Sequence, residues 1–554
     1  MKFKFTVVLL IFVLGFSSCE NKDQNIVPSQ QAPFVWDGAN LYFMLVDRFN
    51  NGTSENDQML RDPENQTGVL RGFEGGDLRG VIEKIKEGYF DELGINAIWM
   101  SPIVEQIHGA TDEGTGLTEG YHGYWTRDWT AIDPNFGTEE DLKELVDVAH
   151  EHGIRIVLDA VINHTGPVTE EDSVWPADWV RTSPACKYQD YNSTVSCTLV
   201  ENLPDILTNS DQEVALPHFL MEKWENEGRL DQEIAELDAF FEATGYPRAP
   251  RFYIMKWLSD YISDYGIDGY RVDTVKHVEE SVWSEFKDVC DVAFADFKIN
   301  NPEKVLDDNS FYLVGEVYNY SIGHGKAFDF GDHVVNYFDD RFESLINFEF
   351  GWNAEGGYEE LFSRYSSILN GELQGYGVLN YIDSHDDGNP FDVERMKSYE
   401  AATKLLLTPG TSQVYYGDET NRPLIVEGAV GDANLRSMMN WEELKNNTQT
   451  QELFEYWSKL GQFRKNHPAI GAGIHEMISE SPYTFSRNYF DGKYSDVVVI
   501  ALDAEVGAKE ISVGDVFMEG TELKDAFSGK SVQVKEGKVV IDSPYSVVLL
   551  EENI

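Results

Sequence analysis

The sequence predicts a closed (β/α)8 barrel, a TIM barrel of the α/β class, with an inserted subdomain and a C-terminal β-domain. Three observations support this fold class. Short apolar runs rich in β-branched residues recur along the chain, and stretches with helical periodicity separate them. The runs are almost continuously apolar, which is typical of parallel strands buried on both faces. There are eight such runs, the number that closes an α/β barrel.

The predicted strands alternate with predicted helices. Intervening segments such as EEDLKELVDVAHEHG and RFYIMKWLSDYISDYG carry apolar residues three and four positions apart, as on one face of a helix. The barrel is therefore predicted over 34–164 and 251–466. The strands begin at Leu41 (LYFMLVD), Ile95 (INAIWMSPI), Ile154 (IRIVLDAVIN), Ile267 (IDGYRVD), Phe311 (FYLVGEV), Ile346 (INFEF), Val378 (VLNYIDSHD) and Ser412 (SQVYYGDE).

Two segments depart from this alternation. Roughly ninety residues separate the third strand from the fourth, which is too long for a simple connection and predicts an inserted subdomain over 165–250. It contains one long helix-like stretch, HFLMEKWENEGRLDQEIAELDAFFEATG, to which we assign no role beyond shaping a cleft wall. After His467 short alternating runs such as YTFSRNYF and DVVVIALD predict an antiparallel β-sandwich over 467–554.

The N-terminus predicts export. Two lysines precede the apolar run TVVLLIFVLGF, which is too short for a comfortable bilayer span, so 1–18 is predicted as a signal peptide. Cys19 follows small residues and resembles the lipidated cysteine of bacterial lipoproteins, although Phe16 is atypical three residues upstream. We expect a lipid-anchored outer-membrane or periplasmic protein with a polar tether over 19–33. The alternative is a secreted protein without an anchor.

The composition limits the partners and the cysteines indicate one crosslink. Lys and Arg number 43 against 97 Asp and Glu, a net charge of −54, which disfavours nucleic acid as a partner. Cys186 and Cys197 lie eleven positions apart in a loop-like stretch, and in an oxidising compartment they predict a disulfide. Cys290 lies in a helical pattern and is predicted as a small buried apolar residue.

Polar residues close several predicted strands, where the chemistry of such a barrel is found. The third strand ends in DAVINH, with Asn163 and His164, and the fourth in YRVDTVKH. Glu316 ends the fifth strand, and DSHDD ends the seventh. Three carboxylates from three strands repel one another and cost stability, so their coincidence indicates a reaction that uses them.

These motifs resemble the four main signature regions of the α-amylase family of glycoside hydrolases. DAVINH, GYRVDTVKH, GEV and DSHD occur in the family's order, each at the end of the expected strand. LPDIL, which begins at Leu203, resembles a fifth region, and GYHGYW, Gly120–Trp125, resembles a sugar-stacking segment. The resemblance covers nearly the whole mature chain.

The resemblance implies a retaining, endo-acting α-1,4-glucan hydrolase that cleaves starch or maltooligosaccharides. Asp273 is then the nucleophile, Glu316 the general acid/base and Asp386 the third carboxylate. Retention requires the first two carboxyls to lie about 5 Å apart and to differ in protonation. Arg271 shares the strand parity of Asp273, so both should face the barrel interior. The implied sugar contacts are Tyr121, His164, Arg271, Lys276, His277 and His385.

The family resemblance also implies calcium, which prefers oxygen ligands from several segments. The matching positions of one site are Asn163, Asp205 and the carbonyl of His277. A second candidate lies in DRFNNGTSENDQ and EGGDLRG; its alternative is an Asn- and Gly-rich turn that holds no ion. This second site would use Asn51, Asn56, Asp57, the carbonyl of Gly75, and Asp77.

Two alternatives to a glucan hydrolase remain open from the sequence. A transglycosylase or a cyclomaltodextrin-acting enzyme of the same family would pass the same glycosyl group to a sugar hydroxyl instead of water. A non-catalytic glucan-binding surface lipoprotein would bind without cutting. Binding relatives typically lose one of the three carboxylates, whereas all three are present here.

Overall fold

The computed structural model describes residues 32–57, 59–60, 66–112 and 114–553. The predicted signal peptide, Cys19 and nearly all of the predicted tether lie outside the described residues. Within the described part of the chain, every helix is too short or too polar to cross a membrane.

Eight parallel strands form a closed barrel, as predicted. They follow one another around the barrel in chain order, and the last pairs with the first. The sixth strand begins at Ser344, two residues before the predicted start, and the chain turns into a helix at Phe350. The strands are β1 Asn40–Met44, β2 Ala97–Met100, β3 Arg155–Ala160, β4 Gly269–Val272, β5 Tyr312–Gly315, β6 Ser344–Asn347, β7 Gly377–Tyr381 and β8 Thr411–Tyr415.

Helices surround the barrel and bury one apolar face against it. The helix at Glu139 begins with a capping box, in which Thr138 and Asp141 satisfy each other's backbone N–H groups. The helices are α1 Val46–Phe49, α2 Leu78–Lys86, α3 Tyr89–Leu93, α4 Glu139–Glu151, α5 Asn192–Val195, α6 His218–Glu227, α7 Leu230–Thr244, α8 Pro250–Tyr265, α9 Ser281–Asn300, α10 Phe350–Ala354, α11 Tyr358–Leu369, α12 Ser398–Leu407, α13 Trp441–Asn446, α14 Thr448–Asn466 and α15 Ala469–Ala472.

The segment between β3 and β4 contains short strands and four helices, α5 to α8. The stretch predicted as one long helix is two, because the chain reverses at Gly228, whose φ of 77° favours glycine. Lys223 of α6 contacts the buried carboxylate of Asp128 at 2.8 Å. The predicted disulfide between Cys186 and Cys197 is present, and Cys290 is buried as predicted.

The C-terminal part is antiparallel, as predicted, and consists of two sheets. Val499, Leu523 and Leu550 of the larger sheet pack against Ile511 and Ile541 of the smaller one. The larger sheet contains β9 Ile474–Glu480, β10 Tyr483–Phe490, β11 Ser495–Leu502, β13 Glu522–Asp525, β14 Lys530–Gln533 and β16 Val548–Glu552; the smaller contains β12 Gly507–Ser512 and β15 Lys538–Ser543.

The strand register brings the polar strand ends together. Arg271 of β4 pairs with Asp159 of β3 on one side and with Val314 of β5 on the other. Side chains on a strand alternate between its two faces, so Asp159, Arg271, Asp273 and Glu316 all face the barrel interior. The carboxyl ends of these strands open onto one face of the barrel.

Candidate active site

Arg271 is the centre of the site and is almost fully buried. Its Nη1 lies 2.7 Å from Oδ1 of Asp273, and its Nη2 lies 3.0 Å from Oε2 of Glu316. The parity prediction for Arg271 and Asp273 is therefore confirmed. One guanidinium contacts both carboxyls, so they lie close together, and its charge stabilises the negative form of Asp273.

Glu316 occupies a different electrostatic environment from Asp273. Burial raises the pKa of Glu316, the negative charges of Asp273 and Asp386 raise it further, and Arg271 only partly opposes them. The Thr274 N–H donates to Oε2 of Glu316 at 2.7 Å and fixes the orientation of the carboxyl. A buried carboxyl with a raised pKa retains its proton near neutral pH and can donate it.

Asp386 lies on the open side of the site. Its side chain is 41% exposed, and Nδ1 of His385 lies 3.8 Å from its Oδ1. The electrostatic effects of Asp386 on Glu316 and on Tyr318 place it near both residues. Among the predicted carboxylates, Asp386 is therefore the one that solvent or a ligand reaches most easily.

Three of the predicted sugar-contacting residues lie around this cluster. Nε2 of His164 lies 3.1 Å from the carbonyl of Tyr124, and the ring of His385 stacks on Tyr124 at 5.2 Å. Burial lowers the pKa of His164 and lowers that of His385 to about 4, so both rings are neutral near pH 7. Tyr121 is fully buried, and the Arg48 guanidinium covers one face of its ring at 3.9 Å.

Lys276 and His277 form a turn after β4. Nζ of Lys276 donates to the carbonyl of Tyr318 at 3.2 Å and lies over the Tyr318 ring, which is half exposed. Nδ1 of His277 lies 3.0 Å from the carbonyl of Thr194 in the disulfide loop. The turn thus connects the inserted segment to the carboxylate cluster.

Two of the residues of the first predicted calcium site, Asn163 and Asp205, lie together. His164 and Asp205 form an isolated β-bridge, and the Asn163 side chain interacts with the Asp205 carboxyl. Burial raises the pKa of Asp205 to about 8, although Nε of Arg181 lies 2.9 Å from its Oδ2. Oδ1 of Asp205 is buried without a hydrogen-bond partner. A buried carboxylate oxygen without a donor fits an oxygen-preferring cation.

The five residues of the second predicted calcium site lie together in one loop region. Nδ2 of Asn51 donates to Oδ1 of Asp57 at 2.9 Å, and a Cβ at Gly75 would touch both groups. Asp77 interacts electrostatically with Asp57 and accepts backbone N–H groups of this loop. Oδ1 of Asn56 is buried without a partner. These oxygen atoms also fit a cation.

Side-chain carboxylates and histidines alone do not define a metal site here. Within 32–57, 59–60, 66–112 and 114–553, no three His, Cys, Asp or Glu side chains are grouped so that they could hold a metal ion. Both candidate sites depend on amide and backbone oxygens in addition to carboxylates. Calcium therefore stays a prediction.

Sequence reasoning did not assign a role to the residues that support Arg271. Asp159 accepts from Nη1 of Arg271 at 3.0 Å, from the Tyr124 hydroxyl at 2.8 Å and from Nε1 of Trp99 at 3.2 Å. All three donors are buried or nearly so. Asp159 precedes His164 in DAVINH, and its interior parity was the available signal.

The fold and the site together define a class of protein. Paired carboxyls at the carboxyl ends of barrel strands, one of them with a raised pKa and both in contact with one arginine, are the groups that glycoside cleavage requires. Phosphoryl and nucleic-acid chemistry would instead need cationic side chains around the site. The class is therefore a barrel glycoside hydrolase.

Comparisons with known proteins identify the family. The family model described as alpha amylase, catalytic domain, matches residues 43–443. The periplasmic alpha-amylase of Escherichia coli is 34% identical over 523 residues, covering 83% of this chain and 72% of that protein. The chain belongs to the α-amylase family of glycoside hydrolases.

Other relatives share the fold across most of the chain. A cyclomaltodextrin glucanotransferase of Geobacillus stearothermophilus is 26% identical over 474 residues, which are 84% of this chain and 59% of that protein. The crystal structure of an Anoxybacillus alpha-amylase superimposes with a TM-score of 0.64 at 24% identity, covering 94% of this chain and all of the other. The predicted barrel architecture is thereby confirmed.

Proposed function

We propose that the protein cleaves α-1,4-glucans internally, with retention of anomeric configuration, through Asp273, Glu316 and Asp386. The observation that carries the proposal is that two neighbouring carboxyls, Asp273 and Glu316, have different electrostatic surroundings. The Arg271 guanidinium lies 2.7 Å from Asp273, whereas burial and the negative charges of Asp273 and Asp386 raise the pKa of Glu316. The periplasmic alpha-amylase of Escherichia coli, at 34% identity, supports this substrate class.

The first step breaks the glycosidic bond. Asp273 forms a bond to the anomeric carbon while Glu316 gives its proton to the departing glycosidic oxygen, so the leaving sugar departs with a free hydroxyl. In the second step water loses a proton to Glu316 and displaces Asp273. Each step leaves Glu316 in the protonation state that the other one needs.

The surrounding residues would hold the sugar at the point of cleavage. The neutral ring of His385 can donate its N–H to a sugar hydroxyl, and Asp386 can accept hydroxyl protons of the distorted sugar. His164 would donate to the sugar with the N–H that here faces the Tyr124 carbonyl. Tyr121 is fully buried with Arg48 against one face of its ring, so it would contact the sugar only if neighbouring side chains moved. Lys276 and His277, in the turn after β4, would contact the sugar on the leaving-group side.

Calcium would serve the structure of the site rather than its chemistry. Asn163, Asp205 and the carbonyl of His277 would bind it between the inserted segment and the barrel. A second ion would bind Asn51, Asn56, Asp57, Gly75 and Asp77. Bound calcium would supply positive charge to carboxylates that are otherwise costly to bury.

Two further aspects of the function rest on sequence and relatives. The relatives include cyclomaltodextrin glucanotransferases, so transfer of the glycosyl group to a sugar hydroxyl is the second candidate reaction. Export is supported by the periplasmic relative, and lipidation at Cys19 would anchor the protein to a membrane. An anchored enzyme would cleave glucans at the cell envelope.

Substitution of the proton donor tests the proposal. Glu316→Gln removes the proton but preserves the shape, so it should fold normally and lose at least about 10³-fold in kcat on amylose. The exposed Glu303→Gln is the matched control and should retain wild-type activity. Appreciable hydrolysis by Glu316→Gln would contradict the assignment, and NMR of the first wild-type products should show the α-anomer.

A further inference from the structure

The position of the Asp386 carboxylate depends on the backbone of its loop more than on contacts of its own side chain. Its side chain is 41% exposed, and its Oδ1 lies 3.8 Å from Nδ1 of the neutral His385 ring. A carboxylate held so loosely by its own contacts can be placed accurately only if the loop that carries it is fixed. The loop after β7 therefore needs an anchor.

Arg395 anchors this loop through a buried acid. Asp383 lies three residues before Asp386 and is fully buried. Nη1 of Arg395 lies 2.7 Å from Oδ2 of Asp383, and Nη2 lies 2.9 Å from Oδ1 of Asp418, just beyond β8. Nε of Arg395 donates to the carbonyl of Arg422 at 2.8 Å. One side chain thus ties the loop after β7 to the loop after β8.

The cluster holds two buried acids and one cation. Burial raises the pKa of Asp418 well above its usual range, and the neighbouring charge of Asp383 raises it further. The Arg395 guanidinium contacts both acids and offsets their repulsion. Its removal would leave the two buried acids without that cation, which is strongly unfavourable.

The backbone around Arg395 is held in an uncommon conformation. Arg395 has a φ of 54°, in the left-handed region that non-glycine residues rarely adopt. Asp392 accepts the N–H groups of Met396 and Lys397 at 2.7 and 2.8 Å and closes the turn around it. The loop is thus shaped to aim this guanidinium at the two acids.

We infer that Arg395 is a positioning residue that sets the place of Asp386 in the catalytic site by fixing Asp383. The inference rests on the proposed function, because it needs Asp386 to act on the substrate. A second contact fixes the other side of the same loop, since Nε of Arg436 donates to the carbonyl of His385 at 2.9 Å. The Arg395 side chain is only 9% exposed, so it acts on Asp386 through Asp383.

A double-mutant cycle separates positioning from mere stabilisation. Arg395→Ala should lower kcat on amylose about 10- to 100-fold and change KM less than about threefold, because a displaced Asp386 fails mainly in the transition state. In an Asp386→Asn background the same substitution should lower kcat less than about twofold further. Arg395→Lys should restore part of kcat, because its ammonium can still pair with Asp383.

The matched control is Arg155→Ala. Arg155 is also nearly buried and pairs with Asp307 at 2.7 Å, but it begins β3 at the opposite face of the barrel. It should lower the melting temperature and leave kcat within about twofold of wild type. If Arg395→Ala does not fold, the cycle is run with Arg395→Lys.

Each outcome has one meaning. Independent, multiplying effects of Arg395 and Asp386 would overturn the positioning role while leaving the proposed function intact. Wild-type kcat in Arg395→Ala would do the same. Full activity of Asp386→Asn alone would instead refute the proposed function, and the inference with it.

Discussion

His467 connects the barrel to the C-terminal sheets through two carboxylates. It follows α14, and its Nδ1 and Nε2 lie 2.8 Å from Asp496 of β11 and from Glu551 of β16. Burial alone would lower its pKa, but hydrogen bonds to the two carboxylates outweigh burial and raise it to about 9. The imidazolium form is therefore strongly favoured in the folded protein.

The size of this contribution follows from the two pKa values. Raising the pKa of His467 from 6.5 to about 9 corresponds to about 3 kcal/mol of stability. The folded pKa is the higher one, so the contribution is complete below pH 6.5, declines as pH rises and is lost above about 9. For the compact unit of Ala32–Ile554, with an unfolding entropy of about 1.1 kcal/mol/K, it corresponds to about 3 °C.

Calorimetry of His467→Gln tests this account. The variant should melt about 3 °C below wild type near pH 6, and the difference should shrink to less than about 1 °C near pH 9.5. His218→Gln is the matched control, because His218 is exposed on α6 and should give no pH-dependent difference. A difference for His467→Gln that stays constant from pH 6 to 9.5 would refute the reasoning.

Two further predictions concern the active site and the cations. Because the general acid must be protonated, kcat/KM should fall on the alkaline side at a pH well above the usual glutamate pKa, and an α-glucosyl fluoride, which needs no proton donor, should lose that limb. An alkaline limb of kcat/KM near pH 4 would contradict this prediction. Chelation should lower the melting temperature and added calcium should restore it; no shift would argue against both calcium sites.

The sequence was sufficient for the barrel because its strands are buried on both faces. A run such as IRIVLDAV can be satisfied only inside a sheet covered by helices, and all eight predicted strands form. Parity then placed Arg271 beside Asp273, since two residues apart on one strand share a face. The local sequence pattern thus predicted both the barrel and the pair of Arg271 and Asp273 at the centre of the site.

Details that depend on distant contacts were not predictable. The reversal at Gly228 leaves the apolar pattern of the inserted segment almost unchanged, so one helix and two helices have nearly the same pattern. The sixth strand includes the polar Ser344, which faces the barrel interior and is fully buried there. Arg395 lies in a loop without a motif, and only its contacts with Asp383 and Asp418 show its importance.

The electrostatic difference between Asp273 and Glu316 likewise comes from the fold and not from residue type. Asp159, Asp273 and Glu316 surround one guanidinium, so the cluster holds three acids and one cation. Burial raises the pKa of Asp159 and of Glu316, and the charge of Asp273 raises both further. One guanidinium cannot balance three carboxylates, so the protonated form is favoured at the carboxyls whose pKa is raised. Removing Arg271 would weaken the distinction between nucleophile and acid, because the cluster would lose the guanidinium that contacts Asp273 at 2.7 Å.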